Sequence, residues 1–274
     1  MRKDVFLPLL ALAGGGVGFG LRWWQNASAF DSSTMLFQQG APATLALIAA
    51  LAVLAAVTLV LIRGGTPPKE YDRAFSCPSA GYMTLMTAGG FLLLASAGLG
   101  LMEFMKQLEL WKLGAALNLP VMLGLTAVLC LPAGVGALLL GKGNYRDQLP
   151  GSYPLLAMLP AYVLLPWLVA LYQDNSRQPE TMLFLFAILA VVFGELGLYL
   201  ASCFAFGRPR PRLCLFCSVM GAVLLLTSLA DRPGMFAAVL SMAVVLLLLA
   251  QTAALARNTF GPDRTVNVPQ NEPV

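Results

Sequence analysis

The stretch VVFGELGLYLASCFAFGRPRPRLCLFCSVMGAVLLL, residues 191–226, decides the fold class. Two long apolar runs meet at a turn that holds three arginines and two prolines. An apolar run that resumes at once after such a turn is the mark of a hairpin of membrane helices. The whole chain extends this pattern. Of its 274 residues 58% are hydrophobic and 11% charged, with a mean hydropathy of +0.77. Soluble domains carry about 25% charged residues. No soluble fold of this length has interior enough for so many apolar side chains, so lipid is the solvent for much of the surface.

A helix needs about 20 residues to cross roughly 30 Å of hydrocarbon. Eight windows qualify: about 5–22, 41–62, 80–102, 119–141, 153–173, 181–206, 213–230 and 235–256. The expected fold is therefore all-α, a polytopic transmembrane bundle of about eight helices. Residues 1–256 form one bundle domain, and the polar, Pro-containing segment 257–274 is expected to be a disordered cytoplasmic tail. The first window begins MRKDVFLPLLALAGGG, with a basic start and the small triplet Ala11-Leu12-Ala13, as a secretory signal does. Its apolar stretch runs on to Trp23 and Trp24, which suit an interfacial anchor, so it reads as a retained helix.

Lys and Arg orient the bundle. With the N-terminus inside, the inner segments hold Arg2, Lys3, Arg63, Lys69, Arg73, Lys142, Arg146, Arg208, Arg210, Arg212, Arg257 and Arg264. The outer segments hold Arg22, Lys106, Lys112, Arg177 and Arg232. The bias predicts a multi-pass cell-membrane protein with both termini cytoplasmic. The longest outer connection, 103–118, puts Phe104, Leu108, Trp111 and Ala115 on one face and Glu103, Lys106 and Gln107 on another, as a short interfacial helix would. Glycines 14, 15, 16, 18 and 20, with 89, 90, 98 and 100, suit close helix packing in lipid. Asn26-Ala27-Ser28 fits the glycosylation triplet, a pattern frequent by chance.

The thiols gather at one depth. Cys77, Cys203, Cys214 and Cys217 all fall near the inner face, and Cys130 lies mid-span. A helix-start position and neighbouring Arg212 favour thiolate at Cys214. Three readings follow. Cysteine is a small apolar residue, and the first reading has all four as inert packing. Convergent thiolates suit zinc or an iron–sulfur cluster. A Cys-x-x-Cys pair also suits thiol exchange. Cys214-Leu215-Phe216-Cys217 at a helix start resembles, over about ten residues, the quinone-reducing thiol pair of the DsbB and vitamin K epoxide reductase membrane oxidoreductases. Those families use a four-helix core with the pair on the outer side. Here the pair counts as inner, and a second, outer pair is missing. Histidine is absent, which excludes haem b held by paired imidazoles and His-based metal sites.

Glu195 is the one acidic residue near mid-bilayer, where a charged carboxylate costs several kcal/mol. At helical spacing it shares a polar stripe with Tyr199 and Ser202 that leads towards Cys203. The stripe reads either as a proton or ligand path, or as a neutral Glu bonded to a neighbouring helix, with a stabilisation of about 0.6 kcal/mol. Pro132, Pro160 and Pro166 fall inside spans, where each removes a backbone hydrogen bond and kinks its helix. Kinked helices occur in transporter sites and in inert bundles alike. No internal repeat, phosphate-binding glycine loop, hydrolase nucleophile or nucleic-acid surface is present. Three functions remain: a small-solute or proton-coupled permease-like protein, with Glu195 titrating and helices four to six forming the path; a membrane redox component, Cys-based or a quinone-facing anchor; and a structural or assembly subunit. The lipid bilayer is the expected partner, with other membrane or peripheral subunits in the last two cases.

Overall fold

The structure, a computed structural model, describes residues 3–31, 36–38, 40–64, 71, 73–114, 119–149, 151–175 and 182–261. Eight helices fill it: α1 Lys3–Ser28, α2 Pro42–Leu61, α3 Ala80–Lys112, α4 Val121–Arg146, α5 Tyr153–Asn175, α6 Met182–Ser202, α7 Pro211–Ser228 and α8 Met235–Phe260. All eight are long and apolar enough to cross a membrane. A two-residue ladder, β1 Phe30–Asp31 against β2 Leu36–Phe37, links α1 to α2, with Phe30 paired to Phe37. This is an all-α, multi-pass membrane architecture.

Local chemistry punctuates it. Prolines open α2 and α7 at their first helical positions, where the missing N–H has no intrahelical partner to lose. After α6 a tight 3-10 turn, Cys203–Phe206, ends at Gly207 with φ +67°, and the RPRPR segment then turns into α7.

The expected interfacial helix at 103–118 is corrected. α3 continues unbroken to Lys112, and residues 115–118 lie outside the described residues. Nothing between Leu101 and Leu113 breaks a helix. Termination waits for Gly114, whose φ of +81° is the left-handed conformation that glycine adopts at little cost. At 1.5 Å per residue, 33 residues span about 50 Å, well beyond the hydrocarbon thickness. The boundary at 257 is corrected too. Arg257–Phe260 complete α8, and the rest of the expected tail, 262–274, lies outside the described residues.

Helices α3 to α8 form a closed ring in chain order, each packing on the next and α8 returning to α3. α1 packs on the outer side of α7 and α8, and α2 lies against α1. Burial follows this layout: α7 and α8 are mostly enclosed, whereas α2 buries only Ala43, Leu47 and Thr58. The described chain ends meet on one side, since the Lys3 ammonium sits 4.4 Å above the Phe260 ring and donates to the Leu61 carbonyl at 2.9 Å. This side is the Lys3 end; the other is the Arg22 end.

Small residues set the tightest crossings, as expected in lipid. A Cβ on Gly221 would stand 2.9 Å from the Gly194 backbone nitrogen, so α6 and α7 touch main chain to main chain. Gly90 and Gly134 bring α3 and α4 together in the same way. The rest of the expected glycine packing holds only in part. Gly14, Gly15 and Gly18 face Leu54, Leu226 and Thr227, while Gly16, Gly20 and Gly98 face open space.

These contacts separate two classes of glycine. Gly221→Val forces α6 from α7 and is expected to cost about 2 kcal/mol, as overpacking does. Gly98→Ala is expected to be neutral or stabilising by up to about 1 kcal/mol, from the helix preference for alanine. Thermal unfolding in detergent measures both.

Candidate functional site

Among the described residues, two cavities stand at opposite ends of the ring. At the Arg22 end a cavity of about 150 Å³ is walled by α5, α6, α7 and α8, with Trp167, Phe184, Ser228, Asp231 and Ser241 among its lining. At the Lys3 end a cavity of about 20 Å³ is walled by α3, α4, α5, α6 and α8, with Tyr82, Asn144, Tyr153, Ser202 and Gln251 in its lining. On α5, α6 and α8, which line both, the two sets stand about ten residues apart, or roughly 15 Å along each helix. Between them lie fully buried Val163, Leu164, Leu198, Val244 and Leu248. Gly194 marks this constriction, where a Cβ would meet Leu225, Val244 and Leu164 at 3.3–3.6 Å.

The wider cavity borders a buried ion pair. Arg22 is 0% exposed; its Nε donates to Asp231 Oδ1 at 2.7 Å and its Nη1 to Gln25 Oε1 at 2.8 Å. Gln25 Nε2 passes the chain on to Thr44 Oγ1 at 2.8 Å. The guanidinium also stacks on Phe186, 4.7 Å from the ring centre. Asn26 Nδ2 donates to the same Asp231 oxygen at 2.9 Å, so the carboxamide of the glycosylation triplet is engaged inside the fold. Asp231 Oδ2 is buried with no hydrogen-bond partner among the described residues. Neither Arg22 nor Asp231 stood out in the sequence. Arg22 looked like an ordinary loop charge, and only its helical register beside Gln25 hinted at a buried face.

The narrower cavity is polar. Asn144 Nδ2 donates to the Tyr82 hydroxyl at 3.0 Å, while Asn144 Oδ1 and Gln251 Oε1 are buried without a partner among the described residues.

The residues singled out from the sequence scatter over these features. Ser202 lines the narrow cavity, with its hydroxyl donated to the Tyr199 carbonyl at 2.7 Å. Tyr199 is 50% exposed and Glu195 half-buried, so the stripe does not stay on one wall: two members look outward and one inward. Pro160 and Pro166 are buried, Pro132 is exposed, and α4 and α5 run through all three without unwinding.

Among the described residues no three His, Cys, Asp or Glu side chains come together as a metal-binding group, so the four cysteines do not converge. Cys77 sits beside Arg257, whose Nη1 lies 3.6 Å from its sulfur. Cys214 and Cys217 are 1% and 3% exposed, with Cys203 near Cys214. The Cys214 thiol donates to the Gly197 carbonyl at 3.9 Å, a bond that a thiolate cannot donate. Arg212 is exposed while Cys214 is buried, which removes the expected thiolate partner. Cys130 is buried in α4. All five are free thiols.

No protein family, curated protein or solved structure matches the chain. The reading of the site therefore rests on its own geometry.

Two expectations follow from the buried polar groups. Arg22→Met leaves Asp231 without its charge partner and is expected to lower stability by about 3 kcal/mol, the cost of breaking a buried pair. Tyr82→Phe removes the acceptor for Asn144 Nδ2 and is expected to cost about 1 kcal/mol. Denaturant titration in detergent micelles checks each value.

Proposed function

We propose that the protein is a small-solute, permease-like carrier of the cell membrane. The observation that supports this reading is the pair of cavities at opposite ends of one ring, separated by a short plug of aliphatic side chains around Gly194. A solute site closed on one side and approachable from the other is what alternating access requires. The wide cavity is the solute side in this state, and the narrow polar cavity is the closed exit. The path runs along α5, α6 and α8 rather than along helices four to six. Lys3, Arg63, Arg73, Lys142, Arg146, Arg208, Arg210, Arg212 and Arg257 crowd the Lys3 end, which supports a cytoplasmic placement of that end and an outward-facing wide cavity.

Glu195 carries the proton-coupled version of this reading. It stands off the ring axis, so coupling through it requires a movement of α6. The same position favours a second reading, an assembly or anchor subunit: a mid-span carboxyl with no hydrogen bond among the described residues and the half-exposed Tyr199 suit a face covered by another membrane protein.

Labelling tests the carrier. In a cysteine-free background, Ala237→Cys is expected to react with a membrane-impermeant maleimide from outside, and Ala157→Cys from inside. Failure of Ala157→Cys to react from either side would leave a sealed bundle and overturn the carrier. Glu195→Gln is expected to abolish the pH dependence of uptake into proteoliposomes; unchanged pH dependence would remove Glu195 from the mechanism.

A further inference from the structure

We infer that the groove between α3 and α4 at the Lys3 end seats an anionic phospholipid, with one acyl chain along the groove and the phosphate against Lys142 and Arg146. This goes beyond the carrier reading and does not depend on it.

Shape sets the length of the occupant. The groove, of about 540 Å³, is lined on α3 by Ala80, Met83, Thr84 and Phe91 and on α4 by Tyr145. Its mouth is the start of α3, at the Lys3 end, where Asn258 of α8 donates to the Ser76 carbonyl at 3.0 Å. Its deep end is the crossing at which Gly90 and Gly134 bring the two helices together. Phe91 stands eleven residues after Ala80, about 16 Å along the helix. That is about half of the roughly 30 Å hydrocarbon thickness, the depth of one leaflet. A partner's membrane helix needs a seam through the full thickness, whereas an acyl chain needs one leaflet.

The walls suit hydrocarbon. Met83 and Phe91 are apolar, and Phe91 is exposed. Thr84 donates its hydroxyl to the Ala80 carbonyl at 2.9 Å, so its donor is spent inside α3. Across the floor a Cβ on Gly141 would stand 2.8 Å from Met86 Cβ. The two helices are thus shut towards the ring interior, and the groove opens to lipid.

Charge selects the headgroup. Lys142 lies one turn before Tyr145 on α4 and Arg146 directly after it, and both are exposed. Neither has an ion pair or hydrogen bond among the described residues. Asp147, next along the chain, already faces Arg73 at 3.5 Å. Tyr145 stands at the mouth, as aromatic residues do at the headgroup level. A headgroup of net negative charge gains from both cations, whereas a zwitterionic one sets its own ammonium against them.

Purified full-length protein in detergent, read by native mass spectrometry, tests this with dioleoyl phosphatidylglycerol and dioleoyl phosphatidylcholine. One phosphatidylglycerol per chain is expected to bind at least tenfold more tightly than phosphatidylcholine. Lys142→Gln and Arg146→Gln are each expected to weaken it about fivefold, the worth of one basic residue at an anionic surface, and to leave phosphatidylcholine unchanged. Thr84→Trp fills the groove and is expected to weaken phosphatidylglycerol at least tenfold. Val128→Trp, on the exposed side of α4 outside the groove, is expected to change nothing. Thermal melts confirm that the variants fold. Equal affinity for the two lipids, a preference that survives loss of both Lys142 and Arg146, or tight binding to Thr84→Trp would each overturn the inference.

Photolabelling in liposomes locates the chain. Phosphatidylglycerol with a diazirine at the end of one acyl chain is expected to label the protein near Phe91. Label spread evenly over the lipid-facing helices would overturn the site. Label displaced by ubiquinone-10 but not by phosphatidylglycerol would assign the groove to a prenyl tail, and label lost on dimerisation would assign it to a second copy. Either result overturns the phospholipid.

Discussion

The return of α8 to α3 is the constraint on which the interior depends. Without it, six consecutive helices would form an open sheet of cylinders facing lipid on both sides. Closure is made by shape rather than by polar bonds. At Gly89 a Cβ would press on Leu247 at 2.9 Å and on the Ala243 carbonyl at 3.3 Å, so α3 reaches α8 only because that position lacks a side chain. In lipid no hydrophobic drive pulls helices together, and close packing has to supply the association. The ring in turn creates an inside where polar groups can be held away from lipid.

Polar groups cluster at the two ends of the bundle and are scarce at its waist. Arg22, Gln25, Asn26 and Asp231 gather at one end; Tyr82, Asn144, Ser202 and Gln251 gather at the other. Leucine and valine fill the length between. This division follows from cost. A fully buried guanidinium persists because a carboxylate, an amide and an aromatic face meet it together. No such company exists near Gly194, where two backbones and three aliphatic side chains leave no room. Ser228 and Ser241 in the wall of the wide cavity turn their hydroxyls back to carbonyls of their own helices.

The cysteines illustrate the limits of depth as an argument. Cys203 and Cys217 each lie near Cys214, and Cys77 stands beside Arg257. Equal distance from a membrane face does not specify which wall a residue occupies. Helix order around the ring decides that, and it placed α7 away from the start of α3.

The eight spans were readable because hydrocarbon thickness imposes a length that a single sequence displays, and the span limits were off mainly where helices outrun the lipid, as α3 does before Gly114. Ser202 was singled out as part of a stripe with Glu195 and Tyr199, not as the lining of a cavity. Arg22 and Asp231 were not: they are 209 positions apart, and each alone looks like a loop charge. What belongs to the sequence by itself is therefore the number and approximate placement of the apolar helices, since these depend on each segment's own transfer from water to lipid. What belongs to the tertiary structure alone is which helix faces meet, hence both cavities, the buried ion pair and the dispersal of the thiols. Those depend on contacts between segments whose spacing along the chain carries no signal.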